Sequence, residues 1–414
     1  MNRSIAPEIK ESSAFTTGFI ESENNIFHFD GSDGVFKLEI IYPYANRIGI
    51  SNPFAYTIGL DLLFSGTVTK TASQIAEDID QYGGFIFKNS DYYTSSISIY
   101  GLEENIENIL PIVKNAIDEA FFPEEEILVY KRNKISELKI NLQKTSFLAN
   151  RGINKLLFGD NHTVNKILTE DVINNTLQSE LISFKNNQLL SPYFIFTGSK
   201  SINVINLLAD IGFEILPKIN MSNIDEIPSG VELELIIPKS DSTQSSIRFG
   251  KILPEREHPD FFKISILNTL LGGYFGSRLM KNIREDKGLT YGIHSSISPY
   301  KKFSVLKISS ECNNKNSALV KTEILREIKK LREELVGQEE LITVKNYLTG
   351  VLQRNFDGVF NISDRFKTFV EMNMDAHYYN NYLKAIQNIT SQEILDTAYN
   401  YFKENTFKYC LAGD

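Results

Sequence analysis

Cysteine and histidine, the side chains that most often bind metals or act as nucleophile and base, are scarce in this sequence. The two cysteines, Cys312 and Cys410, lie about a hundred residues apart, a spacing that fits neither a disulfide framework nor a zinc knuckle. No Gly-x-Ser-x-Gly elbow, phosphate-binding loop or Cys–His arrangement occurs. The histidines never form a helical pair with an acid between them and are interpreted as surface or capping residues: His28, His162, His258, His294 and His377. The sequence therefore predicts no self-sufficient catalytic centre and no metal site.

Long apolar runs and an excess of positive charge are also missing. No apolar stretch reaches about 18 residues, so nothing is expected to span a membrane. The segment from Met1 to Lys10 has no apolar run, which predicts a cytoplasmic protein and leaves export after a removed leader open. The net charge is −9, and basic runs such as Lys329-Lys330 are interleaved with acids. Nucleic acid is therefore not expected as a partner, because a phosphate binder needs a concentrated basic face.

The chain does contain enough apolar residues for two hydrophobic cores. It has 414 residues, of which 42% are hydrophobic and 23% charged, proportions that are ordinary for a globular protein. A chain of this length usually divides, and two domains of about 200 residues are expected.

The two halves of the sequence resemble each other. The first half ends in LISFKNNQLLSPYFIFTGS and the second in TAYNYFKENTFKYCLAGD, so that Phe184 aligns with Phe402. Each ending reads as an amphipathic helix, a polar turn and a strand closed by glycine. An alternating strand near the start of each half (residues 36–41 and 247–253) is followed by a helix, further strands and further helices. This order indicates a duplication.

The repeated order predicts an α+β fold with two homologous domains, each a mostly antiparallel sheet with helices packed on one face. We place the domains at residues 1–216 and 230–414, joined by a polar, turn-rich linker at 217–229. A clamshell arrangement with a cavity between the halves is expected, and such interfaces often hold ligands.

The segment LLGGYFGSRLMKNIREDKGLTYGI, residues 270–293, resembles the second-domain signature of the insulinase/pitrilysin-type zinc peptidases. The resemblance extends over the whole chain, because the duplication and the element order also match. It implies that Arg284 and Tyr291 contact a bound peptide, where a guanidinium and a phenol can donate hydrogen bonds to a carbonyl oxygen. The alternative is structural: Arg284 would offset a helix dipole before an αL cap at Gly288, and Tyr291 would be a half-buried strand aromatic.

Active members of this family carry HxxEH before a Phe-x-Gly-Thr turn, and this chain lacks that motif. Phe64, Gly66 and Thr67 fix the register, so the zinc-binding histidines correspond to Thr57 and Asp61, and the general base corresponds to Leu60 (residues Thr57 to Asp61 read TIGLD). Glu137 lies close to the position of the family's third ligand. Two carboxylates without an imidazole match catalytic zinc poorly, so Glu137 is interpreted as a helix-surface residue.

Three functions are consistent with this pattern. The resemblance implies a non-catalytic subunit that binds extended peptide for a homologous zinc-bearing partner, with zinc on that partner and no cofactor in this chain. A scaffold or peptide-binding protein without a role in proteolysis, including a self-associating one, is the alternative. A self-sufficient metallopeptidase with Asp61 and Glu137 as ligands is the least favoured, because two carboxylates do not reproduce the required geometry.

Overall fold

The computed structural model describes most of the chain, with gaps near the N-terminus and between the two halves. The described residues are 19–21, 25–31, 34–43, 52, 54–215, 228–372, 374 and 377–414. Most of the predicted linker at 217–229 lies outside these residues, so the predicted domain boundaries stay a prediction.

Six strands from the first half form one sheet in the order β1-β2-β6-β3-β5-β4. Only the β2–β6 pair is parallel. The strands are β1 (Phe19–Glu21), β2 (Ile26–Asp30), β3 (Val35–Pro43), β4 (Phe85–Ser90), β5 (Thr94–Leu102) and β6 (Tyr193–Gly198).

Five strands from the second half form another sheet in the order β7-β11-β8-β10-β9, and only the β7–β11 pair is parallel. This order repeats that of β2-β6-β3-β5-β4, which confirms the α+β fold with two homologous sheets. The strands are β7 (Glu234–Pro238), β8 (Gln244–Leu253), β9 (Thr290–Pro299), β10 (Ser304–Asn313) and β11 (Lys408–Gly413).

The helices follow the same repeat. In the first half they are α1 (Phe54–Asp61), α2 (Ala72–Asp80), α3 (Ile106–Asp118), α4 (Glu124–Leu142), α5 (Thr145–Phe158), α6 (Glu170–Asn175), α7 (Gln178–Gln188) and α8 (Val204–Asp210). In the second half they are α9 (Phe261–Asn268), α10 (Ser317–Glu333), α11 (Gln338–Asn355), α12 (Val359–Met372), α13 (Tyr378–Asn388) and α14 (Ser391–Tyr401). None of the helices in the described residues combines the length and apolar composition needed to cross a lipid bilayer.

Each sheet is covered on one face by helices of its own half and contacted on the other face by one helix of the opposite half. On the first sheet, Phe27, Phe29, Ile41, Tyr193 and Ile195 pack against one face of α12, formed by Val359, Ile362, Phe366 and Val370. On the second sheet, Val305 and Cys410 pack against α5 through Ile153, Leu156, Leu157 and Phe158. Strands buried on both faces read as continuous apolar runs, which explains the sequence YFIFTG of β6.

The contact between α5 and the second sheet is close enough to require glycine at Gly152. A methyl group at this position would overlap the Sγ atom of Cys410 and approach Ile237 Cδ1 to 3.0 Å. Alanine normally favours a helix over glycine, so the glycine is explained by packing rather than by helix propensity.

A buried ionic cluster lies between the first sheet and α12. Lys37, which is 1% exposed in β3, bonds to Glu39 Oε2 at 3.0 Å and also to Asp364 of α12. Lys367 Nζ lies 3.7 Å from Glu39 Oε1. These charges are paired within the cluster, and removal of one partner leaves the other buried and uncompensated.

We expect Lys37→Met to lower the free energy of unfolding by about 3 kcal/mol, because Glu39 then loses its closest cation in a buried site. Urea denaturation at neutral pH measures this change. Lys329→Met, which removes an exposed pair with Glu333, is the control and should change stability by less than about 1 kcal/mol. Equal effects of the two substitutions would contradict the assigned role of the cluster.

Glu371 of α12 makes folding stability depend on pH. Its side chain accepts a hydrogen bond from Thr94 Oγ1 at 3.0 Å. Burial, and then the nearby Asp91 carboxylate, raise the pKa of Glu371 to about 7. Since the folded state holds this proton more tightly than the unfolded state, the contribution to stability is present at low pH and is lost as pH rises from about 4.5 through about 7.

In the unsubstituted chain, Glu371 should lower the free energy of unfolding by about 3 kcal/mol between about pH 5 and pH 8. We therefore expect Glu371→Gln, which does not titrate, to lack this decrease. Denaturation of both proteins across this range gives the difference directly. Glu333→Gln, at a position with a half-exposed side chain, should leave the pH profile unchanged. If the free energy of unfolding depends on pH in the same way in the unsubstituted and Glu371→Gln proteins, Glu371 is not the group responsible.

Candidate functional site

The positions that correspond to the zinc motif lie at the end of α1 and have different environments. Leu60 is 1% exposed and belongs to the hydrophobic core of the first half. Thr57 is partly exposed and Asp61 is exposed. The position of the general base therefore holds a core side chain rather than a group that could reach a substrate.

The two acids of the degenerate motif, Asp61 and Glu137, are already held by side chains of this chain. The hydroxyl of Tyr130 in α4 donates to Asp61 Oδ2 at 2.7 Å, and Lys88 Nζ donates to the Asp61 carbonyl oxygen. Burial, followed by the hydrogen bond to Asp61, raises the pKa of Tyr130 above its ordinary value. Lys134 Nζ lies 3.0 Å from Glu137 Oε2. Glu137 is thus an exposed helix carboxylate with a lysine partner, as the sequence predicts.

These residues do not fit a zinc site. Throughout the part of the chain that the structure describes, no group of three or more His, Cys, Asp or Glu side chains could hold a metal ion. His162 and His258 act in turns, where each Nδ1 accepts a backbone N–H at 3.1 Å. The surface-or-cap interpretation is wrong for His28, which is buried in β2 with Nε2 3.1 Å from the Gly198 carbonyl oxygen.

Arg284 and Tyr291 lie on either side of a tight reversal. Arg284 belongs to a π-helical turn, Met280–Asp286, and Tyr291 is the second residue of β9. Gly288 between them has φ +60, and its N–H donates to the Arg284 carbonyl oxygen at 3.1 Å, which confirms the αL cap.

The Arg284 guanidinium stacks on two exposed aromatic rings. Its carbon lies 4.8 Å from the ring centre of Phe275 and 5.7 Å from that of Tyr291. Tyr291 is 93% exposed, which contradicts the structural alternative of a half-buried strand aromatic. Among the described residues, the guanidinium has no ion pair and no side-chain hydrogen bond, which leaves its N–H donors available.

Phe275, 63% exposed, is the member of this group that sequence reasoning missed. It lies in the glycine-rich stretch from Gly272 to Gly276, just before the π-helical turn that carries Arg284. An aromatic residue in an exposed loop before an Arg–Tyr pair was the available signal, since cations often stack on aromatic faces.

Two edge strands, β4 and β9, occupy equivalent places in the two sheets. The hairpins that begin with these strands touch at their tips. The ring centres of Tyr92 and Tyr300 are 5.6 Å apart, and the Lys301 N–H donates to the Tyr93 hydroxyl at 2.8 Å. The tip contacts fix the two edge strands relative to each other.

Comparison with known proteins identifies similar sequences among zinc proteases and their homologues. Residues 193–348 match the family described as "Peptidase M16 inactive domain". An uncharacterized zinc protease of Rickettsia bellii is 25% identical over 396 residues, covering 90% of this chain and 94% of that protein. A non-peptidase homolog, YmxG, of Helicobacter pylori is 25% identical over 179 residues, covering 42% of this chain and 40% of that protein. The matched residues include the 270–293 segment, which confirms the resemblance to the insulinase/pitrilysin-type peptidases.

The fold is similar to that of a solved peptidase M16 inactive domain from Pseudomonas fluorescens. The TM-score is 0.83 at 18% identity, over 94% of this chain and 95% of that chain. At this identity the likeness supports the two-domain fold and carries no argument about activity.

We expect Leu60→Glu, which places the glutamate of the zinc motif at its corresponding position, to destabilise the fold by at least about 3 kcal/mol at neutral pH. The carboxylate would enter the core without a partner. Denaturation at neutral and acidic pH is the measurement, and the penalty should shrink where the acid is protonated. Thr57→His, at a partly exposed position, should cost much less; a small penalty for Leu60→Glu would contradict the core assignment.

Proposed function

We propose that this chain, a member of the M16 family of peptidases and their homologues, is a non-catalytic subunit that binds extended peptide for a zinc-bearing homologue. The carrying observation is the Arg284 guanidinium, which has no ion pair among the described residues and is stacked between exposed Phe275 and Tyr291. A partly exposed cation held in this way is preorganised and is not neutralised by an internal partner among the described residues.

The chemistry of the pair suits a peptide backbone. Arginine supplies a planar fork of N–H donors and tyrosine an O–H donor, and peptide carbonyl oxygens accept both. The rings of Phe275 and Tyr291 orient the fork and still leave its N–H edge free. Arg284 and Tyr291 would therefore position a carbonyl and stabilise negative charge that develops on its oxygen.

The β4 edge supports binding of an extended chain. β4 pairs with β5 on one side, and its other side has no strand neighbour among the described residues. Phe85 and Phe87 are 62% and 55% exposed and lie on one face of the strand. A free edge offers main-chain hydrogen bonds, and exposed rings at alternate positions offer side-chain contacts.

The zinc chemistry would have to come from another chain. Tyr130 and Lys134 engage the acids that remain, and Leu60 is buried where the family has its general base. A heterodimer with a homologue that carries the HxxEH motif accounts for both the retained Arg–Tyr pair and the missing metal ligands.

Reconstitution with an HxxEH-bearing homologue from the same genome tests this proposal. Arg284→Ala should lower kcat/KM of the mixed complex by about a hundredfold, the usual loss for one donor to a developing oxyanion. Tyr291→Phe removes only the hydroxyl and should give a smaller loss in the same direction. Peptide hydrolysis with this chain in excess over its partner is the measurement.

Lys281→Ala is the matched control, since Lys281 is an exposed cation in the same π-helical turn. Its activity should stay within about twofold of the unsubstituted complex, a difference of less than 0.5 kcal/mol. Unchanged activity for Arg284→Ala would remove the clamp assignment. A homodimer that never associates with the zinc-bearing homologue would favour the scaffold function instead.

A further inference from the structure

A separate cleft opens between α4, α5 and the segment at residues 164–168. Its volume is about 290 Å³, roughly ten times the volume of a water molecule in the liquid. The α4 wall contributes Lys134, Glu137 and Asn141, and the α5 wall contributes Phe147 and Arg151. A space of this size holds one or two side chains of a ligand rather than a whole peptide.

The cleft carries an excess of positive charge although the chain as a whole is at −9. Three cations line it, Lys134, Arg151 and Lys166, against one carboxylate, Glu137. Glu137 is paired with Lys134. This pairing leaves Arg151 and Lys166 without a carboxylate partner among the described residues.

Arg151 is held in place without an anionic partner. Its guanidinium carbon lies 5.4 Å from the ring centre of Phe147, one helical turn earlier. Burial lowers the pKa of Arg151, and no acid among the described residues lies close enough to oppose this effect. A partly buried guanidinium with no anion is an incomplete electrostatic site, because desolvation of its charge is not offset.

Two asparagine side chains add neutral hydrogen-bond donors to the cleft. Asn141 uses its side-chain oxygen to accept from Lys144 Nζ at 2.8 Å, and Asn154 uses its own to accept from Lys307 Nζ at 2.7 Å. Their NH₂ groups have no acceptor among the described residues. The cleft is thus rich in donors and poor in acceptors, as expected for an anion site.

The fold fixes the α5 wall. Ile153, Leu156 and Leu157 pack α5 on the second sheet. Phe147, Arg151 and Asn154 follow one another at helical spacing and line the cleft. Since the opposite half clamps α5, the guanidinium is presented from a rigid element.

We propose that this cleft binds a carboxylate group of the bound peptide, either an acidic side chain or the C-terminal carboxylate. The inference rests on the proposed peptide-binding function, since it assigns one part of that ligand. A singly charged carboxylate matches the bidentate fork of Arg151, whereas Glu137 in the same wall disfavours a more highly charged group.

The position of the cleft fits this role. Glu137 lies seven residues after Tyr130 in α4, which corresponds to about 10 Å along the helix axis. Tyr130 in turn holds Asp61 in the degenerate motif. If an extended peptide lies against this motif, a carboxylate only a few peptide residues further along its chain could thus reach the cleft.

Fluorescence anisotropy with short labelled peptides and the full chain provides the test. The peptides share one sequence and combine a free or amidated C-terminus with a central Glu or Gln. We expect removal of the relevant carboxylate to weaken binding about tenfold, as for loss of a charge-assisted hydrogen bond. The two changes separate the terminal carboxylate from the acidic side chain.

In Arg151→Gln, the affinities for the peptide with the carboxylate and the peptide without it should differ by less than about twofold, and the affinity for the neutral peptide should be unchanged. We call this ratio of affinities the discrimination. Lys166→Gln, at an exposed position, should reduce it in the same direction. Lys155→Gln is the control, because Lys155 lies in α5 but pairs with Asp160 outside the cleft and should preserve the full discrimination.

The outcomes separate this inference from the proposed function. Peptides that bind without regard to their carboxylates, or discrimination that persists in Arg151→Gln, would overturn the cleft assignment and leave the peptide-binding function standing. Absence of binding for every peptide, with the chain alone and with its zinc-bearing homologue, would overturn both.

Discussion

The packing of α5 on the second sheet and of α12 on the first is the constraint on which the rest of the structure depends. Each helix covers the face of the opposite half's sheet that the helices of that half leave uncovered, so neither half completes its burial alone. Burial of apolar area is the main favourable term in folding, and the two halves are therefore coupled through it. The duplication accounts for the reciprocity, because α5 and α12 occupy equivalent places in the two repeats.

The two contacts differ in chemistry. The α5 contact is apolar and close, and it requires glycine at Gly152. The α12 contact combines an apolar stripe with the buried ionic cluster of Lys37, Glu39, Asp364 and Lys367. Buried ions contribute little net stability when paired but fix one arrangement, because any shift separates a charge from its partner. Polarity at this contact therefore selects the position of α12 more than it strengthens the contact.

The sequence predicted the duplication and the order of strands and helices along the chain, because both depend on local patterns. Paired endings, alternating strands and positioned glycines recur at the same places in each half, and Phe184 and Phe402 are both buried as their alignment requires. The packing of α5 and α12 on the sheets of the opposite halves was not predictable in this way. The apolar stripe of α12 and the hydrophobic positions of α5 indicate burial, but neither pattern shows which sheet the helix contacts.

The candidate sites likewise divide into features that local sequence patterns predict and features that depend on tertiary contacts. Arg284, Tyr291 and the degenerate motif were found because each belongs to a contiguous stretch of sequence with fixed spacing. The stacking of Phe275 on Arg284 and the cleft around Arg151 depend on residues brought together by tertiary contacts. Only the structure shows that Lys134 neutralises Glu137 while Arg151 has no such partner among the described residues.

The absence of the zinc motif and the presence of two partly exposed arginines without an ion pair among the described residues are physically related. A buried leucine at position 60 adds apolar packing in the first core, and Tyr130 satisfies the exposed acid beside it. These replacements favour stability over reactivity. Arg151, in contrast, has no anionic partner among the described residues to offset the desolvation of its charge, and both Arg151 and Arg284 contact aromatic rings. Groups left in that condition are typical of binding sites, where a ligand supplies the missing partner. Core packing and internal hydrogen bonds therefore occupy the positions of the zinc motif, whereas Arg284 and Arg151 are the side chains on which the proposed binding of peptide depends.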